Sequence, residues 1–137
     1  MPARTLASKL KLGAGARALL INAPASYRKE LGTLPAGATL SASARGTFDW
    51  IQVFARSQAE LRRLAPRAVR ALGSEGLLWI SFPKGSSSIQ SDLTRDTGWD
   101  SLRTSDLKWV TLVSVNETWS AFAMRRYRPG EVRQSFR

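Results

Sequence analysis

The sequence predicts one α/β domain, in which a mostly parallel sheet has helices on both faces and ends in an antiparallel hairpin. Two segments, 50–54 and 77–82, are nearly continuous runs of large apolar residues, which is typical of strands covered on both faces. Strand-like and helical segments alternate along the chain, and this order favours parallel strands joined by crossovers. The length of 137 residues and the 43% hydrophobic content suit one domain with a sizeable core.

The first 43 residues predict two short helical segments and two strands. Leucines and lysines mix over residues 5–12 and predict a short helix, which the glycine-rich turn at 13–16 ends. The apolar segment 18–21 predicts the first strand, and 39–43 predicts a weaker second strand. Between them, residues 27–31 are long enough for one or two helical turns.

A longer helix follows the strand at 50–54. Ser57 and Glu60 are spaced as a capping box, in which each side chain accepts a free backbone amide of the first turn. Pro66 removes an amide donor, so we expect it to kink or split the helix, and Gly73 marks the helix end. The apolar residues recur at three- and four-residue intervals: Leu61, Leu64, Ala65, Ala68 and Leu72.

The second half of the chain predicts a strand, a loop, a helix and a hairpin. The strand at 77–82 runs into a loop at 83–88, and much of 94–105 predicts a helix. Gly98 weakens this helix, and a start at Thr97 is the alternative. The segments 108–115 and 119–124 alternate as strands do, and three residues separate them, which predicts an antiparallel hairpin.

No internal repeat or internal domain boundary is evident. We therefore expect residues 1–127 to form the domain and 128–137 to be a frayed, basic C-terminal tail. The N-terminal segment places basic residues before an apolar stretch, as a secretion signal does, but Arg17 interrupts that stretch. No window approaches the roughly 20 apolar residues that cross a bilayer. These features predict a cytoplasmic protein without a membrane partner.

The composition excludes several kinds of chemistry. Cysteine and histidine are absent, which rules out disulfides, Cys/His zinc sites, cysteine nucleophiles and histidine bases. The net charge is +11, from 21 basic and 10 acidic side chains. No RNA-binding aromatic motif, zinc finger or basic zipper accompanies this charge, so we expect solvated basic faces and disfavour a nucleic-acid partner. The arginines cluster in two places: Arg62, Arg63, Arg67 and Arg70, and Arg125, Arg126, Arg128, Arg133 and Arg137.

Three segments carry a pattern found in one large group of enzymes. Residues 9–13 followed by 17–24 read as a helix, a glycine turn and a first strand. Residues 72–80 are similar to a Leu-x-Pro-Gly-Gly turn and the next strand, with different residues at two positions, and 108–124 reads as a reversed last strand. These segments resemble class I S-adenosylmethionine-dependent methyltransferases, which implies a three-layer, Rossmann-like fold.

Four shorter motifs narrow the resemblance: 20–24, 83–87, 92–96 and 117–120. With them, nearly the whole chain resembles a family of short bacterial proteins defined by a domain of unknown function, which is similar to a truncated methyltransferase. That family has no assigned activity, so the resemblance implies a fold and no particular reaction.

The sequence lacks the residues that would hold the methyl donor in such a fold. A glycine-rich turn after the first strand lets the backbone approach the cofactor, and an acidic residue after the second strand accepts the ribose hydroxyls. Residues 22–26 contain no glycine and include Pro24, while 41–45 contain no carboxylate and end in Arg45. We therefore expect no cofactor, no metal and no catalytic residues; if the protein is an enzyme, it is a methyltransferase.

Candidate ligand-binding residues follow from the fold, because ligands bind beyond the carboxyl ends of the strands in open α/β sheets. Residues 84–87 combine an ammonium, hydroxyls and small residues whose amides can face an anion. A flexible connection explains the same residues equally well, and Arg56 is a second cation or simply a solvated one. The candidates are Asn22, Tyr27, Arg56, Lys84, Gly85, Ser86 and Ser87.

The leading hypothesis is a non-catalytic, methyltransferase-like domain that binds a small anionic ligand or a protein partner at this edge. An atypical S-adenosylmethionine-dependent methyltransferase and a nucleic-acid-binding protein are the alternatives. The oligomeric state is open, although an exposed edge on the second strand would allow a dimer.

Overall fold

The computed structural model describes residues 5–134. Within them, four helices precede or join six strands. The helices are α1 (Leu6–Lys9), α2 (Tyr27–Leu31), α3 (Gln58–Ala71) and α4 (Asp100–Arg103). The strands are β1 (Arg17–Ile21), β2 (Thr39–Ser41), β3 (Phe48–Phe54), β4 (Leu72–Pro83), β5 (Leu107–Ser114) and β6 (Trp119–Arg126).

The strands form one mixed sheet in the order β2-β1-β3-β4-β6-β5. Neighbours pair in parallel from β2 to β4, and β6 is antiparallel to both β4 and β5. One face of the sheet is buried under α3 and α4, the other under α1 and α2. The predicted three-layer α/β fold with its C-terminal hairpin is confirmed. No helix of the described residues is long and apolar enough to cross a membrane.

The start of α3 differs from the predicted capping box in one contact. The Ser57 hydroxyl accepts the Glu60 amide at 3.1 Å, as expected. The Glu60 carboxylate instead accepts the Arg56 amide at 2.8 Å, one residue before the serine. Pro66 does not split the helix, which runs unbroken from 58 to 71. Buried residues on both sides of the proline anchor the two halves on the sheet.

The strand predicted at 77–82 begins five residues earlier, directly after α3. Leu72 pairs with Phe48, and the next pair joins Leu77 to Trp50, so β4 bulges between them. Gly76 allows this bulge, because a Cβ there would lie 2.9 Å from the Phe48 carbonyl oxygen. The chain therefore passes from α3 into β4 without a loop. Gly73 lies just after the helix, as predicted, but it is part of β4.

The helix predicted over 94–105 is wrong for most of its length. Only Asp100–Arg103 is helical. Gly98 has a φ of +103°. This value lies outside the helical region, and residues other than glycine rarely adopt it. The Thr94 amide closes a turn on the Thr97 carbonyl at 3.0 Å instead. Because glycine is a poor helix former, the helix does not extend back through residue 98.

The C-terminal segment folds back on the sheet, so the prediction of a frayed tail is wrong for 128–134; residues 135–137 lie outside the described part. The Glu131 carboxylate accepts two bonds from the Arg125 guanidinium, at 2.8 and 2.9 Å. It also accepts the Lys108 ammonium and the Arg128 amide, each at 2.8 Å. We call these four groups the Glu131 cluster.

Gln134 covers part of the outer edge of β5. Its side chain accepts the Trp109 amide at 2.8 Å and donates to the Trp109 carbonyl at 2.9 Å. These two bonds are the ones that a neighbouring strand would make. A polar side chain therefore takes the place of a backbone at this edge.

The connection between β2 and β3 is short and crosses the sheet. The two strands lie on opposite sides of β1 and run parallel to it. Residues 42–47 are all that joins them, so they pass over β1. They do so on the face that carries α3, where Ala44 packs against the core. The strand order reverses at β1, which is where open α/β sheets form their ligand crevice.

Candidate functional site

A cavity of about 470 Å³ opens at the carboxyl end of β1. It lies between the start of α2, the side of α3 and the crossover 42–47. Its lining residues are Leu20, Ile21, Asn22, Ala23, Pro24, Ala25, Arg28, Ala42, Ala44, Arg63, Leu64 and Arg67. The volume falls within the range of small-molecule sites, roughly 300–1,000 Å³.

Asn22 fixes the turn that leads from β1 into this cavity. Its φ is +61°, in the left-handed region that asparagine tolerates better than most residues. The side-chain amide donates to the Phe54 carbonyl at 2.8 Å and to the Glu60 carboxylate at 3.3 Å. Asn22 therefore ties the end of β1 to the end of β3 and to the first turn of α3.

Three arginines reach the cavity from two helices, and we call it the arginine cavity. Arg28 comes from α2, and Arg63 and Arg67 lie about 6 Å apart along the axis of α3. Arg63 is 4.0 Å from the Glu60 carboxylate. Arg28 and Arg67 have no hydrogen-bond or ion-pair partner among residues 5–134. None of the residues that line this cavity is acidic.

The floor of the arginine cavity is apolar. Ile21 and Leu64, which belong to the core on the α3 face, line it and are only 4–6% exposed. Leu20 also lines the cavity, but its side chain packs on the opposite face of the sheet. The crossover contributes Ala42 and Ala44, whose small side chains leave the volume open. The arginine cavity therefore combines a hydrocarbon floor with an exposed cationic rim.

The structure places only one of the predicted binding residues, Asn22, in this cavity. Tyr27 is fully buried and packs edge-on against Phe54, with 4.6 Å between the ring centroids. Burial raises the pKa of the Tyr27 phenol, so the group stays neutral. Arg56 is exposed and lines neither described cavity.

Lys84, Gly85 and Ser87 line a second, smaller cavity of about 290 Å³, formed by the segment 83–94. The Lys84 ammonium donates to the Ser114 hydroxyl at 2.6 Å, and the Ser87 hydroxyl donates to the Lys84 carbonyl at 2.8 Å. Ser86 does not line this cavity. The expectation that Asn22, Arg56 and Lys84 share one site is therefore not met by either cavity, and the binding role of these residues stays a prediction.

The sequence analysis missed the three arginines of the arginine cavity as a group. Helical spacing put Arg63 and Arg67 on the polar side of α3, which is correct, but could not show that the crossover faces that side. Arg45 does not line the cavity, although the sequence places it where a methyltransferase has the acidic residue that accepts the ribose hydroxyls. Its carbonyl accepts the Arg17 guanidinium at 2.6 Å. The residues that follow β2 into the cavity are alanines.

S-adenosylmethionine does not fit the residues of this site. Its sulfonium is a cation, and the charged side chains that line the cavity are three guanidiniums. No carboxylate lines the cavity to accept the ribose hydroxyls, and Pro24 stands in the turn where glycine would let the cofactor approach the backbone. Repulsion between the arginines and the sulfonium thus adds to the two differences seen in the sequence, the missing glycine turn and the missing acid.

No protein-family model and no curated protein matches the sequence. The structure is similar to a S-adenosylmethionine-dependent methyltransferase from Aquifex aeolicus, with a TM-score of 0.55 and 12% identity over 85% of this chain and 86% of that chain. It is also similar to the N-methyltransferase NodS from Bradyrhizobium japonicum, with a TM-score of 0.54 and 16% identity over 88% and 92% of the two chains.

A third similar structure is the m1A22 tRNA methyltransferase of B. subtilis, with a TM-score of 0.55 and 10% identity over 93% of this chain and 67% of that one. Identities this low show a shared fold and leave activity open. The six-stranded sheet with its reversed β6 agrees with that likeness. The protein has the fold of class I S-adenosylmethionine-dependent methyltransferases.

Proposed function

We propose that this protein is a non-catalytic domain of methyltransferase fold that binds a small anionic ligand in the arginine cavity. The observation that carries the proposal is the convergence of Arg28, Arg63 and Arg67 on one cavity whose lining contains no carboxylate. Guanidinium groups bind phosphate and carboxylate oxygens through two parallel hydrogen bonds, which gives both strength and orientation.

The electrostatics of the folded chain support an anion at this place. Like charges held on one cavity repel each other, and a bound anion relieves that repulsion. The nearby Glu60 offers little relief, because one carboxylate oxygen already accepts the Arg56 and Asn22 donors and the other is 4.0 Å from Arg63. Arg28 and Arg67 remain available to a ligand.

An atypical S-adenosylmethionine-dependent methyltransferase is the second candidate. The similarity in fold to such enzymes supports it, as does the position of the cavity beyond the carboxyl end of β1. The charge and the turn residues described above count against it.

Thermal unfolding and calorimetric titration separate the two candidates. The ligands are inorganic pyrophosphate, S-adenosylmethionine and S-adenosylhomocysteine, each tested at low salt. We expect pyrophosphate alone to stabilise the protein, by about 2.7 kcal/mol at 100 times its Kd. The double variant Arg63→Met with Arg67→Met should lose this effect. Arg62→Met is the matched control, since Arg62 lies on the same helix but does not line the cavity.

Micromolar binding of S-adenosylmethionine, without any response to pyrophosphate, would overturn the proposal in favour of the enzyme. An equal pyrophosphate response in the double variant and the wild type would show that anions bind elsewhere on the basic surface.

A further inference from the structure

The floor of the arginine cavity sets a requirement that a simple anion does not meet. Ile21 and Leu64 present hydrocarbon to the cavity, while the arginines stand at its exposed rim. Small-molecule sites bury most of the ligand against apolar lining and use a few polar groups for orientation. An inorganic anion would pair with the arginines at the rim and leave the apolar floor in contact with water.

The rim sets a second requirement, which concerns charge. Arg63 and Arg67 share one wall, on α3, and Arg28 belongs to another, on α2. Arg28 and Arg67 have no partner in the described part of the chain, and Glu60 reaches Arg63 only at 4.0 Å. A single negative charge would leave at least one of these guanidiniums without compensation. A head with two linked anionic groups can engage both walls.

We infer that the ligand of the arginine cavity is an organic diphosphate, with its two phosphoryl groups held by Arg28, Arg63 and Arg67 and its apolar body on Ile21 and Leu64. This inference rests on the proposed function and adds the class of ligand. Guanidinium forks suit phosphoryl oxygens at the rim, and the hydrocarbon floor suits an organic substituent rather than a second charged group.

Ala42 and Ala44 give this inference a specific test, because their small side chains leave room for the organic body. A larger residue at either position would occupy part of the cavity while the arginines themselves stay in place. Ala42 is exposed, so Ala42→Leu should leave the fold intact. Ala44→Leu is the second variant, and its thermal unfolding without ligand shows whether it folds.

The experiment is a calorimetric titration, without divalent cations, of three probes: inorganic pyrophosphate, adenosine diphosphate and isopentenyl diphosphate. We expect at least one organic diphosphate to bind about tenfold more tightly than pyrophosphate, which corresponds to burying roughly 50 Å² of apolar surface. Ala42→Leu and Ala44→Leu should abolish this advantage and weaken pyrophosphate binding less than they weaken binding of the organic probe. Arg67→Met should weaken all three probes.

The matched control is Ala59→Leu, an exposed alanine of α3 that does not line the cavity. Tighter binding of adenosine diphosphate identifies a nucleoside as the body, and tighter binding of isopentenyl diphosphate identifies an alkyl chain; either result supports the inference. Equal affinity for all three probes would overturn it while the proposed anion site stands. If no probe binds, both the inference and the proposed function fail.

Discussion

The arginine cavity and the Glu131 cluster use the same residue type in opposite ways. In the Glu131 cluster, one carboxylate accepts the Arg125 guanidinium, the Lys108 ammonium and a backbone amide, all within 2.9 Å. In the arginine cavity, two guanidiniums have no partner among the described residues. The difference shows that the basic residues behind the net charge of +11 do not share one role. Part of it holds the C-terminal segment on the sheet, and part has no partner among the described residues.

The largest expected effect comes from a cation with a structural role, Arg126. Its guanidinium donates to the Val69 carbonyl at 2.6 Å and to the Leu72 carbonyl at 3.0 and 3.2 Å, at the end of α3. Arg126→Met keeps much of the aliphatic stem but removes these charged hydrogen bonds, so we expect the free energy of unfolding to fall by about 2 kcal/mol. Urea denaturation at pH 7 measures it.

The control for Arg126 is Arg70→Met, an exposed arginine in the last turn of the same helix. Its loss should change stability by no more than about 0.5 kcal/mol. Equal losses in the two variants would remove the distinction between structural and unpaired cations.

A smaller, pH-dependent effect is expected at Glu131. The hydrogen bonds from Arg125, then from the Arg128 amide and Lys108, hold the pKa of this carboxyl well below its usual range. A carboxyl with a depressed pKa in the folded state stabilises the fold above the unfolded pKa, near about 4.3, and loses this contribution as the pH falls further. Glu131→Gln should therefore unfold more easily than wild type at pH 7.

Denaturation curves at pH 7, 4 and 3 test this account. The gap between wild type and Glu131→Gln should narrow from pH 7 to pH 3. Asp106→Asn gives an independent comparison, because Arg133 likewise lowers the pKa of Asp106. A gap that stays constant across the three pH values would mean that the glutamine amide disrupts packing rather than charge pairing.

The smallest effect is expected in the arginine cavity itself. Arg67→Met removes a cation without a partner from a rim of like charges, so the free energy of unfolding should stay within about 0.5 kcal/mol of wild type or rise slightly. The slight gain should disappear in 1 M salt, where exposed charges are screened beyond about 3 Å. Denaturation at low and high salt measures it, and a loss of stability as large as that of Arg126→Met would contradict the comparison.

Most of the fold could be predicted because apolar patterns report burial directly. Residues 50–54 and 77–82 lie in the two central strands β3 and β4, and α2 spans the predicted residues 27–31. One error has a local cause and the other a distant one. Gly98 adopts a positive φ in a segment whose composition allowed a helix. The C-terminal segment is held by Glu131 and Gln134, each of which has one partner more than twenty residues away in β5.

The site was harder to predict than the fold. The sequence identified Asn22 and the lack of a glycine turn, because both lie in the contiguous segment 20–26. It did not identify the group of Arg28, Arg63 and Arg67, because these residues meet only through the packing of α2, α3 and the crossover around β1. Lys84 had the right chemistry, but its ammonium bonds to Ser114, thirty residues away. Residue type and spacing do not reveal which polar groups form hydrogen bonds with other parts of the same fold.

The six-residue crossover over β1 also bears on how such a protein diversifies. It forms one wall of the arginine cavity with two alanines and lies outside the strands of the sheet. Insertions and side-chain exchanges in surface connections are tolerated far better than changes in strands. A longer or bulkier segment at this place would reshape the arginine cavity while the sheet and the arginines stay as they are.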